Sequence, residues 1–201
     1  MTNSFPNQPQ AEHRVIGLIQ NLTLSLALLF LAAGPKPAAG EVSEYGVKAA
    51  YIYNFTQFVR WPKGAFESKD SPLVIGIVGD DPFGTVLDEA VKDKSANGHP
   101  LTVKRLGSFS AGKAESLSNC QILFIAYSEK SKVKEILQSL KGSGTLTVSE
   151  IDQFSLKGGA IQFDQEGQKI TITLSESAAK KSGLSISSQL LQVAKLYKAE
   201  E

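Results

Sequence analysis

A chain of 201 residues, 42% of them hydrophobic and 20% charged, is long enough for one ordinary domain and short for two. Its formal net charge is +1 and its lysines are spread along the chain, which gives no reason to expect nucleic acid or an anionic membrane surface as partner. With Cys120 as the only cysteine, no disulfide can form within the chain.

Arg14 precedes an apolar stretch, LTLSLALLFLAA, from Leu22 to Ala33. It is shorter than the roughly 20 residues of a membrane-spanning helix and matches the apolar core of a secretory signal peptide. Pro35 and Pro37 then end any helix, and Ala38 and Gly40 stand at the spacing a signal peptidase reads. Residues 1–40 are therefore expected to be a leader cut after Gly40, the alternative being an uncleaved anchor extended backward through VIGLIQN from Val15. Residues 41–201 are expected to form a single domain.

That domain opens with VKAAYIYNFTQFVRWP, Val47 to Pro62. Ser43 can cap a helix whose first turn holds Glu44. Val47, Ala50, Tyr51, Asn54, Phe55 and Phe58 follow helical spacing and form the expected core stripe, with Pro62 ending the helix. Ile52, Tyr53 and Val59 make much of the other side apolar too, so the helix should be buried on more than one side. Tyr53, Arg60 and Trp61 stand equally as core or as interface, because off-stripe aromatics and arginine are enriched in interface hot spots. Asn54, if buried on the stripe, must find hydrogen-bond partners and could pin the next loop.

Leu73 to Val78 is a continuous apolar run, as expected of a strand covered on both faces. Gly79, Asp80, Asp81 and Pro82 form a turn, with a helix starting near Phe83. LTVKRL from Leu101 and QILFIAY from Gln121 read as two further strands, and Lys130 to Leu140 reads as a helix. TLTVSE from Thr145 is the fourth strand. GGAIQFDQEGQKITITL from Gly158 is a hairpin turning at Glu166-Gly167. Two helices close the chain. Ser175 and Gly183 bound the first, and Ser187 caps the second, whose stripe is Leu190, Leu191, Val193, Ala194 and Leu196. The expected fold is α/β: a mainly parallel sheet flanked by helices on both faces, with a C-terminal antiparallel hairpin and two closing helices.

Catalytic signals are few. Asp80-Asp81 lies beyond the carboxyl end of a strand, where α/β folds place ligands, but the turn reading is the simpler one. A phosphoacceptor receiver would need a carboxylate at the end of the central strand, and Ala126-Tyr127-Ser128 stands there. GDDPFG lacks the spacing of a dinucleotide fingerprint and puts negative charge where a phosphate would sit. His99, in NGHP, is expected to be an exposed loop residue. No zinc-protease, Cys/His or nucleophile-elbow motif is present. No cofactor and no metal are expected, and binding is the positive reading. Cys120 opens an apolar run and is expected to be buried.

VKAAYIYNFTQFVRWP, IGIVGDDPFG, CQILFIA, TLTVSEIDQFSLKGGAIQF and ITITLSESAAKKSGLSISSQLLQVAKLY occur in this order. Together they closely resemble the YfiR-like family of bacterial periplasmic proteins, from Val47 to Tyr197. The resemblance implies a non-enzymatic α/β regulator in the periplasm. Its partner would be the periplasmic part of an inner-membrane diguanylate cyclase, held inactive by the regulator. An outer-membrane-associated lipoprotein can sequester such regulators, so that cyclic di-GMP and biofilm formation rise. The resemblance also implies a homodimer. Some relatives carry cysteine pairs, so redox control through an internal disulfide does not carry over. A second reading is a periplasmic small-molecule sensor using the crevice near Asp80, Asp81 and Phe83. A third, an exported enzyme, is disfavoured by the missing motifs.

Overall fold

The computed structural model describes residues 43–197, and the expected leader lies outside them. Among the described residues no helix is long and apolar enough to cross a membrane. An eight-stranded mixed sheet, mostly parallel, forms the centre of an α/β fold.

Helix α1 spans Glu44–Phe58, and the Ser43 hydroxyl accepts the Gly46 N–H at 3.1 Å as its N-cap. Its buried face is Lys48, Ala49, Ile52, Phe55 and Thr56. This differs from the expected stripe: Ala50 and Asn54 are exposed, and Val47, Tyr51 and Phe58 are half-buried. A helix apolar nearly all round carries no periodic signal to set its rotation, so the sheet sets it instead. The helix also ends before Pro62. Val59–Arg60 is strand β1, which pairs antiparallel with β9, Ser185–Ile186.

β2, Leu73–Val78, is buried at every position. It pairs in parallel with β4, His99–Gly107, on one side and β5, Ile122–Ile125, on the other. β6, Leu146–Ser149, follows β5 in parallel, and β7, Ile161–Glu166, follows β6. β8, Lys169–Leu174, returns antiparallel to β7 as a hairpin. β3, Ser95–Ala96, pairs antiparallel with the start of β4. The Asn97-Gly98 turn between them has positive φ at both residues, a hairpin signal not read from the sequence.

The short helices are α2, Val86–Val91; α3, Ala114–Ser118; α4, Val133–Ser139; α5, Glu176–Lys181; and α6, Ser188–Val193. The expected helix from Lys130 is a 3₁₀ turn, Tyr127–Lys132, running into α4. Ser175 and Ser187 cap α5 and α6 through their hydroxyls. The closing helix is shorter than expected. Lys195–Leu196 forms β10, parallel to β8, and only Leu190 of α6 is buried. Val193 and Leu196 are 70% and 48% exposed, so they form no core stripe.

Two apolar clusters form the core. Ile75, Ile77, Ile122 and Phe124 pack with Ile52, Phe55, Leu87 and Val91. Val78, Leu123 and Ile125 pack with Leu117, Val133, Ile136 and Phe154. Alternate residues of β5 thus enter different clusters, as pleating requires when both faces are covered.

Candidate functional site

The chain leaves β2 toward β4 and returns across it to β5, so the topological switch point lies between β2 and β5. This is the crevice the sequence pointed to, and it is closed. Gly79 has φ +93, and a Cβ there would stand 2.5 Å from the Ser128 hydroxyl. The Asp80 N–H donates to that hydroxyl at 2.9 Å, while the Asp80 residue is exposed. Asp81 accepts from the Phe83 N–H at 2.8 Å and from Arg105 Nε at 2.7 Å. Arg105 also donates to the Gly84 carbonyl and to Asp88. Those hydrogen bonds hold the Asp88 carboxyl below its ordinary range and raise the guanidinium's pKa. The Phe83 ring is buried, edge-on to Tyr45 and Phe124, and offers no surface. Asp81 and Phe83 therefore fasten the loop after β2 to β4 and the core.

Arg60 and Trp61 lie at the opposite, amino-terminal end of the sheet. Trp61 is half-buried, and its Nε1–H donates to the Gln121 carbonyl at 3.0 Å. Phe66 stands edge-on to Trp61 and stacks on His99 with centroids 3.7 Å apart. His99 is thus not the exposed loop residue expected. It starts β4, is half-buried, and its Nδ1 lies 2.6 Å from the Ser71 carbonyl. Trp61 closes the core at the helix exit, while Arg60 is exposed. Tyr53 is half-buried beneath the Lys94 ammonium, 4.1 Å from the ring centre, and Asn54 is exposed. The sequence candidates are therefore not one site. Asp80, Asp81 and Phe83 lie at the carboxyl end of β2, and Arg60 and Trp61 lie at the amino end.

A different assembly occupies the carboxyl ends of β5, β6 and β7. Strand pairing between β6 and β7 stops at Ser149–Gln162, so Phe163 to Glu166 project past the sheet beside β8. The notch under this projection has a volume of about 610 Å³ and is lined by the start of α1 and the loops after β5 and β6. Lys48, 3% exposed, is ion-paired with Glu44 one turn back and with Glu150 after β6. Burial pulls the Lys48 pKa down, but the hydrogen bonds to Glu150 and Glu44 outweigh it and leave it raised. The Tyr45 hydroxyl donates to Glu150 at 3.3 Å; burial, then the Glu150 charge, raises its pKa. Asp164 accepts from Gln162 and Thr173, and Lys195 pairs with Glu166. Tyr127 is 54% exposed on the rim. Carboxylates outnumber lysines five to two around the notch.

The notch can hold a partner's polar or cationic groups. Among the described residues no cluster of His, Cys, Asp and Glu is placed to hold a metal ion. The residues of the notch were missed by sequence reading because they come from six separate segments. The single sequence signal is Glu44 at i, i+4 from Lys48.

The family model described as YfiR/HmsC-like matches residues 45–195. No curated protein matches the chain.

Proposed function

The chain belongs to the YfiR/HmsC-like family, and on that premise we propose that it is an exported, non-enzymatic periplasmic regulator. It binds the periplasmic domain of an inner-membrane diguanylate cyclase and represses it, so that its removal raises cyclic di-GMP and biofilm formation. Residues 1–40 act as the cleaved signal peptide. The regulator works as a homodimer and is released when an outer-membrane-associated lipoprotein sequesters it. The observation that carries this reading is the family match over nearly the whole described domain.

The carboxyl-end notch supports it as the partner surface. There a tyrosine is exposed beside a preorganised charge network, the mixture of aromatic anchor and polar groups found at interfaces. The proposal is tested by whole-cell cyclic di-GMP in a strain lacking the gene, complemented with the chain with or without residues 1–40. Deletion should raise cyclic di-GMP, and only the chain carrying the leader should restore it. An unchanged level on deletion would overturn the repressor reading and favour a small-molecule sensor, for which the amino-terminal end of the sheet has a second cavity.

A further inference from the structure

The second cavity opens below the amino ends of β2, β5 and β6, with a volume of about 610 Å³, within the usual range for small-molecule sites. Its floor is Gln121, which is buried and has all its polar groups engaged. Gln121 Nε2 donates to the Ala65 carbonyl at 2.7 Å, and Oε1 accepts the Val74 N–H at 2.8 Å. The main-chain oxygen accepts from Trp61 and from the Leu146 N–H. Cys120 forms another wall. Its thiol packs so closely on Gly76 that a Cβ there would meet sulfur at 2.6 Å. Burial pushes the thiol pKa up to about 11, with the Lys104 charge pulling it down. Phe66 supplies an apolar wall, held by its stack on His99.

The lining of this cavity is net positive, with two lysines against one glutamate. Lys104 on β4 and Lys141 after α4 both line it, and neither pairs with a carboxylate among the described residues. Glu67 is the acidic residue on its lining. At the carboxyl-end notch, by contrast, both lysines are already neutralised. Two lysines without a carboxylate partner, on the lining of a cavity whose floor is already hydrogen-bonded, suit a doubly negative ligand, which would not have to displace an internal partner from either ammonium group.

We propose that this cavity binds a small organic dianion, with Lys104 and Lys141 as its charge partners and Phe66 against its carbon skeleton. The shared chemistry is two negative charges on a small frame, as in a phosphate monoester or a dicarboxylate. The site is independent of the partner surface at the other end of the sheet.

The single tryptophan gives a local readout, because the Trp61 indole is bonded to the cavity floor and touches Phe66. Protein purified as cells make it is titrated with glycerol 3-phosphate, with succinate, and with sodium chloride at matched ionic strength. Emission and melting temperature are followed together. Binding should give a saturable emission change and, at a hundredfold excess over Kd, a melting shift of about 5–10 °C. A response to one organic anion assigns the phosphate or the carboxylate class; a response to both assigns dianion charge alone. The double variant Lys104→Gln, Lys141→Gln should melt like the parent without ligand, as both residues are exposed, and should bind at least about tenfold more weakly. Single variants Lys104→Gln and Lys141→Gln read each charge separately. No saturable response to either anion, a response that sodium chloride reproduces, or one the variants leave intact would overturn the proposal.

Discussion

At the residue scale, polar side chains that no motif marks do much of the positioning. Lys48 lies on the buried face of α1 and joins the helix start to the loop after β6 through Glu44 and Glu150. A buried cation is tolerable only while its carboxylates stay in place, and the reverse holds for them. Replacing Lys48 with Met keeps the apolar stem and leaves Glu150, whose side chain is 16% exposed, without its cation. We expect a loss of about 3 kcal/mol of stability, measured by urea denaturation. A loss below about 1 kcal/mol would show that water already solvates these carboxylates. Trp61 likewise belongs to the fold before it belongs to any surface, because its indole N–H caps the start of β5. The aromatic mass of the first helix is thus largely core, and Arg60 is the exposed group at its exit.

At the element scale, α1 shows what an apolar sequence can and cannot specify. The Ser43 cap and the helix itself were legible because they depend on local chemistry. The rotation was not: with aromatic residues on several sides, two neighbouring stripes score alike, and contact with the sheet, where Tyr51 and Phe55 meet Phe163 on β7, chooses between them. Substitutions on the two stripes should therefore differ. Ile52→Ala, at a wholly buried position, should cost about 3 kcal/mol, whereas Asn54→Ala should stay within about 0.5 kcal/mol. Equal effects in thermal melts would mean that the helix is rotated from the position described. The closing helix failed for a related reason. Val193 and Leu196 keep helical spacing in the sequence, but the chain changes to β10 at Lys195, where the edge of β8 offers unpaired backbone groups. The hairpin of β7 and β8 was legible because its alternation and turn are local, with Phe163, Ile170, Ile172 and Leu174 buried.

At the scale of the whole molecule, the loops at the carboxyl end are fastened by charge. Arg105 ties the end of β4 to Asp81 after β2 and to Asp88 on α2. Asp88 has its pKa lowered by the Arg105 hydrogen bond, so its contribution is complete above the unfolded carboxylate value of about 3.9. That contribution is lost as pH falls through the lower folded value. The Asp88 and Arg105 side chains are more than 40% exposed, so the pair contributes well under about 1 kcal/mol and weakens with salt. An Asp88→Asn variant should start slightly less stable at neutral pH and then lose less stability than the parent between about pH 5 and pH 2, measured as urea midpoint against pH. Parallel curves would show that Asp88 is unpaired in solution.

Features that depend on neighbours along the chain follow from the sequence: the helix caps, the buried strand β2, the late hairpin and the ordered motifs of the family. The tertiary structure alone decided which ends of the strands meet. It filled the crevice after β2 with Phe83 and Arg105, turned Asn54 to solvent, and stacked His99 on Phe66. It also gathered Lys48, Glu150 and Tyr127 at one end of the sheet and Lys104 and Lys141 at the other. The physical reason is that a cap or a hairpin is a balance of short-range terms. A site in a mainly parallel sheet is built by crossover connections, which bring together residues from segments far apart in the chain.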